Sequence, residues 1–546
     1  MTAARRPSWS RVAAWGAVWA GLWALTFGLL LLRIVIVRDE AWMLWLATRI
    51  ARGDALYRDT YDVTTPVAAW LAGAVVRVTG PQMAVIRALD AAVFATQVVL
   101  GLSVVRRCGV RRSGQVAFAL VLLAVAAPFG AFVSLYSALS ICFALGTLRA
   151  TLWWLDETAA GGAASGAAWA VGVAGGLAFW TKPNVGALVA LAVAAAVIAA
   201  MWGTPIPRWW PALGRMAAGA VAVSVVCLVV ISVTGAWSAF VDQVFRSKGE
   251  YVNVGFGYVP ALQRRFDQLV TGAVPFQVRR ITQLAVQAAP VVVLAAVVVG
   301  AVRSRRAPRG PLVALVSFTV AGLLAVLPRP GLNHITGVMP LVVTALVGTW
   351  AVGNRERATA PLVGRVAVAT TAVLAVVAVV AVAVPMVHPP NPDHFQRDAA
   401  HFWGTPVTDP QLKASARLGR GLRARGVDTV FIVRKDAGFL YLRTGTRNPL
   451  PFDIVERSDL GGDDEAGVIR RLAAGEAEWV CVRKPGSGGR SDKGLIPSHL
   501  ERWIRTHLEF VAELARCELY RAPAGSRTGP RAWPDGSHST GVSASS

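Results

Sequence analysis

About eleven separate apolar stretches, each near the 20 residues a helix needs to cross hydrocarbon, recur along this chain, and no other feature limits its fold so severely. They lie near residues 12–37, 84–105, 114–133, 136–154, 165–181, 184–202, 212–234, 282–302, 311–327, 334–352 and 362–386. With 546 residues, 55% of them hydrophobic and 16% charged, the chain holds more apolar surface than one water-soluble core would need. The expected fold class is an all-α polytopic membrane domain. Arg5, Arg6 and Arg11 precede the first run, which is too long for a signal-peptide core and lacks an evident small-residue cleavage site, so it reads as a retained span. The stretch 66–79, "PVAAWLAGAVVRVT", is short and contains Arg77, and reads as an interfacial or re-entrant half-helix.

Charge supports that reading. With a cytoplasmic N-terminus, the loops carrying Arg106, Arg107, Arg111 and Arg112, then Arg208 and Arg215, then Arg303, Arg305, Arg306 and Arg309, then Arg355, Arg357 and Arg365 all fall inside. Counting 66–79 as a crossing would invert every loop after it. Three large segments then face outward: 38–83, 235–281 and everything beyond 388. The inward loops are all short, so any chemistry belongs to the outer face. The formal charge of +24 sits in short runs between apolar segments, without a basic stripe interleaved with aromatics, which argues against nucleic acid. Arg in place of Lys, with abundant Ala, Val and Gly, is the habit of a GC-rich bacterial genome and places the chain in a bacterial plasma membrane.

The domain division follows: 1–387 as the transmembrane domain, 388–522 as a small extracytoplasmic α/β domain, and 523–546 as a Ser/Gly/Pro-rich tail expected to be disordered. Within 388–522, helix-like stretches ("QLKASARLGRGLRARG", "EAGVIRRLAAG") alternate with strand-like ones ("TVFIVR", "FLYLRTG", "EWVCVR", "CELYRA"). The five cysteines show no metal-like spacing. Cys481 and Cys517 both fall in strand-like stretches and can form a disulfide in an oxidising compartment; the sequence leaves their state open. His394, Asp398 and His401 would share one face of a helix, a pattern that an exposed polar face explains as well as a metal does. No metal and no cofactor are expected.

An acidic pair, Asp39 and Glu40, stands where the first span leaves the membrane. A carboxylate costs roughly 2.5–3.5 kcal/mol at the centre of a spanning helix, so the pair belongs at the outer interface, on the edge of a cavity. Trp42, Trp45, Leu46 and Ile50 follow at helical spacing while Arg49 and Arg52 offer a polar side, the pattern of an amphipathic helix on the membrane surface. Asp39 is then either the N-cap of that helix or a general base facing an acceptor hydroxyl. Arg87 and Asp90, three residues apart, are expected to pair on one face of the second span.

From here the chain resembles a known family. A first span, then "DEAWMLWLATRIARGDALYRDTYDVTTP", a half-helix, and "AVIRALDAAVF" opening the next span is the order found in membrane-embedded GT-C glycosyltransferases. The dolichyl-phosphate-mannose protein mannosyltransferase and aminoarabinose transferase-like branch is most similar. "FWTKPNVG" at 179–186, "GLNHITGVMPLVV" at 331–343 and "FLYLRTGTRNPLPFD" at 439–453 add to the likeness. The resemblance implies a polyprenyl-phosphate-linked sugar donor, an acceptor that is a protein, lipid or glycan, and catalytic carboxylates at Asp39 and Glu40. It implies transfer on the outer face with inversion. The aminoarabinose branch carries a basic residue where this chain has Trp42 and a Lys where it has Thr65, so other cations would hold the donor phosphate. Lys182 is the first candidate, with snorkelling at a helix end as its plainer reading. Arg246 and Lys248, set among aromatics in the 235–281 segment, are next. His334 would orient substrate or simply anchor the interface. A flippase or transporter of lipid-linked sugars, or a non-catalytic envelope-assembly protein, would use a similar cavity without bond chemistry.

Overall fold

The structure is a computed structural model. It describes residues 9–129, 135–162, 164–202, 209–246, 257–270, 277–303, 309–326, 331–354, 395–396, 399–455, 464–484, 498–515 and 517–523. The expected span at 362–386, Lys248, His394, Asp398 and the tail beyond 523 lie outside the described residues.

Among those residues seven helices are long and apolar enough to cross a membrane. They are α1 (Trp9–Leu31, its apolar stretch starting at Val12), α4 (Met83–Arg107), α6 (Leu135–Ala159), α8 (Pro183–Met201), α9 (Trp210–Val233), α12 (Gln277–Arg303) and α14 (Leu332–Asn354). Helices α5 (Arg112–Phe129), α7 (Ser165–Thr181) and α13 (Arg309–Leu324) fill three further expected positions. At 1.5 Å per residue, the 17 residues of α7 and 16 of α13 reach only about 24–26 Å. The stretch 66–79 forms α3 (Val67–Thr79), too short to cross.

Helix α6 is buried along most of its length, whereas Val225, Val226, Val229 and Val233 of α9 lie open on the surface. In water such a face would be an aggregation surface, and lipid is the solvent that accepts it. Helices α7 and α9 meet backbone to backbone: a Cβ added at Gly172 would stand 2.0 Å from the Met216 carbonyl oxygen. Small residues allow this approach, and dispersion between the two backbones is its return. The chain breaks between α7 and α8 at Lys182, which is extended, and restarts with Pro183 in the first helical turn, where a missing N–H costs nothing.

The C-terminal unit is α/β, with a four-stranded sheet ordered β3 (Phe431–Val433), β4 (Trp479–Arg483), β6 (Cys517–Arg521) and β5 (Glu509–Leu514). Strands β3 and β4 are parallel and the other pairs antiparallel. A disulfide joins Cys481 to Cys517 across the neighbouring strands β4 and β6. Helices α15 (Asp409–Arg423) and α17 (Asp464–Ala473) fall where the helical patterns place them.

One expected strand is a helix. "FLYLRTG" forms α16 (Ala437–Thr444), ended by Gly445 in the left-handed region. Its side chains from Ala437 to Leu442 are all buried, and a short, wholly apolar run carries no periodicity to separate strand from helix. Of the expected row of His394, Asp398 and His401 only His401 is described, and the described residues there are not helical. Phe395–Gln396 form strand β1, and His401 sits in a turn at φ 67° with Nδ1 2.8 Å from the Pro81 carbonyl oxygen. Pro389, Pro390 and Pro392 just upstream oppose a helix there.

Candidate active site

Helix α2 (Asp39–Ala51) begins at the acidic pair, and the structure gives its two carboxylates opposite surroundings. Asp39 is the first helical residue. Arg38 occupies the N-cap position and makes no side-chain capping bond, so Asp39 is not the cap. Its carboxylate remains 41% exposed, with Arg38 Nε 3.8 Å away. Surrounding protein withholds water from it and pushes its carboxyl above the ordinary range; Arg38 opposes that push and the Glu40 charge adds to it. Proximity to the positive end of the helix suits a carboxylate here.

Glu40 turns inward and is 3% exposed. Its Oε2 accepts from Arg87 Nη2 at 2.8 Å and from the Ile36 backbone N–H at 2.8 Å, while Oε1 lies 3.4 Å from Arg33 Nη2. Arg87 Nη1 also donates to the carbonyls of Leu30 at 2.6 Å and Arg33 at 2.7 Å, closing the C-terminal end of α1. The expected Arg87–Asp90 pair therefore does not form. Asp90 Oδ1 is buried without a hydrogen-bond partner, because the Arg87 guanidinium reaches the first loop instead. Sequence spacing favours the local pair; a carboxylate 47 residues upstream takes the cation.

The amphipathic reading of α2 also needs correction. Residues 43–49 are all buried, Arg49 included, because α3 covers one side of the helix and the C-terminal unit covers another. A Cβ at Gly73 of α3 would come 2.5 Å from Ile50, and one at Gly438 of α16 would come 2.9 Å from Trp42 Cα. Arg49 meets not solvent but carbonyls and carboxylates: Asp54 at 2.7 Å, Asp453 at 3.0 Å, and the carbonyls of Leu450 at 3.2 Å and Asp59 at 2.5 Å. A buried guanidinium is tolerable only with such partners.

The same Asp453 oxygen, Oδ1, accepts from Trp45 Nε1 at 2.8 Å and Asn448 Nδ2 at 2.9 Å. Trp45 stacks on Tyr441 with ring centroids 4.9 Å apart. Backbone bonds extend the junction: Val35 to Pro406 at 3.0 Å, Tyr61 to Pro451 at 2.8 Å and Met83 to His401 at 2.8 Å. None of these partners carries a local signal in the sequence, although Asp453 closes the "FLYLRTGTRNPLPFD" motif.

Lys182 sits at the break between α7 and α8, its Nζ 3.1 Å from Ser137 Oγ and 5.5 Å from the Tyr136 ring centroid. Tyr136 packs against the same apolar cluster as Val37 and Trp42, which flank the acidic pair. Arg246 is exposed at the end of a π-helical turn (Asp242–Arg246). Within that turn Gln243 bonds the Tyr57 carbonyl and the Asp62 N–H, so this segment docks on the first loop. His334 is half-buried in the first turn of α14. At the far end of α2 from Asp39, a cavity of about 260 Å³ is lined by Ile50, Asp54, Leu56, Arg58, Trp70 and Thr234. Asp39 does not line it.

The fold matches solved membrane glycosyltransferases of the GT-C class. ArnT from Cupriavidus metallidurans bound to undecaprenyl phosphate superposes with a TM-score of 0.52 at 14% identity, covering 96% of this chain and 100% of that one. The apo state of the same protein gives 0.53 at 15% identity over 96% and 99%. The apo oligosaccharyltransferase of Archaeoglobus fulgidus gives 0.50 at 11% identity over 87% and 70%. No family model matches the sequence, and no curated protein does. At these identities the likeness establishes a GT-C fold.

Proposed function

We propose that this chain is a membrane glycosyltransferase that moves a sugar from a polyprenyl-phosphate donor to an acceptor hydroxyl at the outer face of the plasma membrane. The observation that carries the reading is the division of labour at the head of α2 in a GT-C fold. Glu40 is consumed by Arg87 and Arg33, while Asp39 beside it keeps an accessible carboxylate. That the similar ArnT was solved with undecaprenyl phosphate supports a lipid-borne donor. The charge of the short loops supports an outward-facing first loop and C-terminal unit.

In the proposed reaction the acceptor oxygen attacks the anomeric carbon, the bond from that carbon to the phosphate oxygen breaks, and polyprenyl phosphate departs with the bonding electrons. Asp39 receives the acceptor proton. A single displacement inverts the anomeric centre. Lys182, Arg246, Lys248 and His334 are proposed to meet the donor, where cations stabilise charge developing on the leaving phosphate. Desolvation suits Asp39 to the role, since a carboxyl pushed upward is a stronger base. Glu40 enters as the anchor of the helix, not as a second acid.

Reconstituted protein given a labelled polyprenyl-phosphate sugar and membrane acceptors should consume the donor. Asp39→Asn should lose about 10²–10⁴-fold in turnover, the range of general-base catalysis, while still binding the donor. Movement of label between leaflets with the sugar–phosphate bond intact would identify a flippase instead.

A further inference from the structure

We propose that Asp453 of the C-terminal unit is a positioning residue for Asp39, acting through α2. The inference rests on the reading of Asp39 as the base and adds to it a role for a domain that carries none of the proposed donor contacts.

The geometry begins with helical spacing. Trp45 and Arg49 are four residues apart and so present side chains on one face of α2. Both donate to one oxygen of Asp453, at 2.8 and 3.0 Å, and Asn448 holds that oxygen from the side of the C-terminal unit. The carboxylate is wholly buried, and its second oxygen, Oδ2, has no hydrogen-bond partner. A buried, half-satisfied charge costs stability, and well-packed apolar residues in place of the whole pair would fill the space at no greater cost. What the carboxylate supplies that an apolar side chain cannot is direction: two donors on one helix face converge on one acceptor atom.

Asp39 stands six residues before Trp45, about 9 Å along the axis of a rigid helix. The other end of α2 is pinned by Glu40 to Arg87. Two pins on one rod set its tilt, and loss of either lets it pivot about the other. Displacement of a reacting group by about 1 Å can cost on the order of 10²-fold in rate. Close packing at Gly438, whose missing side chain admits Trp42, limits how far α16 can follow.

The fold should tolerate loss of the carboxylate. Arg49 keeps Asp54 at 2.7 Å and two carbonyls, so its charge is not stranded. Asp453→Ala and Asp453→Asn in the full chain, reconstituted with a labelled polyprenyl-phosphate sugar, test the idea. Donor Kd should stay within about 2-fold of wild type. The kcat of Asp453→Ala should fall by about 10- to 100-fold. Asp453→Asn, which keeps volume and one acceptor oxygen, should recover part of that loss. A merely structural residue would move thermal stability and leave kcat per folded molecule unchanged. Wild-type kcat in folded Asp453→Asn and folded Asp453→Ala would overturn the proposal; if the alanine variant does not fold, wild-type kcat in the asparagine variant alone overturns it. A parallel loss of Kd and kcat would overturn it too, since the donor site itself would have collapsed. Absence of turnover in the wild-type protein would instead sink the glycosyltransfer reading, and this role with it.

Discussion

The two ends of α2 are held in contrasting ways. At the N-terminal end the anchor is a membrane helix: Arg87, near the start of α4, binds Glu40 and the carbonyls of Leu30 and Arg33 at and just past the end of α1, all within 57 residues. In the C-terminal half the anchor is Asp453, 404 residues from Arg49, on the C-terminal unit. The first contact exists once the early helices have packed. The second joins residues from opposite ends of the described chain. The contrast teaches that the helix bearing the proposed base is half built by the membrane domain and completed from outside it.

The largest effect is expected where the comparison is broken at the membrane end. Arg87→Met leaves a buried Glu40 carboxylate without its main partner and should destabilise the protein by about 3–5 kcal/mol, read as a lowered unfolding temperature in detergent. Adding Glu40→Gln to that variant should restore part of the loss, because the Glu40 charge is then no longer stranded. No recovery would mean that the contacts of Arg87 to Leu30 and Arg33 carry the anchor.

A smaller effect is expected at the other end. Gly438→Ala places a Cβ 2.9 Å from Trp42 Cα and 3.2 Å from the Ala41 carbonyl oxygen, so α16 must draw back from α2. A cost of about 1–3 kcal/mol follows from overpacking. Turnover should fall as well. Unchanged turnover at lowered stability would show that charge at Asp453, not close packing, is what holds the helix for catalysis.

The smallest effect sharpens the comparison at Asp39 itself. The base must be ionised, so activity should fall as pH drops through its pKa, and the acid limb should lie above that of an ordinary carboxylate. Arg38 pulls that pKa down. Arg38→Gln should therefore move the limb to higher pH, whereas a limb that does not move would place the titrating group elsewhere.

The membrane helices and the short α3 were legible in the sequence because hydrophobic length and loop charge are local signals. Strands β3, β4 and β6 were legible for the same kind of reason. "FLYLRTG" was not, since its buried run lacks a polar face to report a period. Arg49 reads in the sequence as the solvent side of an amphipathic helix, but two of its four partners, Leu450 and Asp453, arrive from the far end of the chain. Arg87 misled in the opposite way: its nearest acidic neighbour in sequence, Asp90, is not its partner in space. The position of Asp39 at a helix start was readable from the order of motifs. The inward turn of Glu40 was not, because adjacent residues on a helix point about 100° apart, and only packing decides which one meets the core.

The contact of α7 with α9 through Gly172, Gly176 and Gly219 bears on how the tail of the proposed lipid-linked donor would gain entry. Two backbones interlocked that tightly have no slack, and even one methyl group at Gly172 would collide with the main chain opposite. The pair must then travel as a single plank. A seam that parted to admit the proposed donor would have to run along some other boundary in the helical wall.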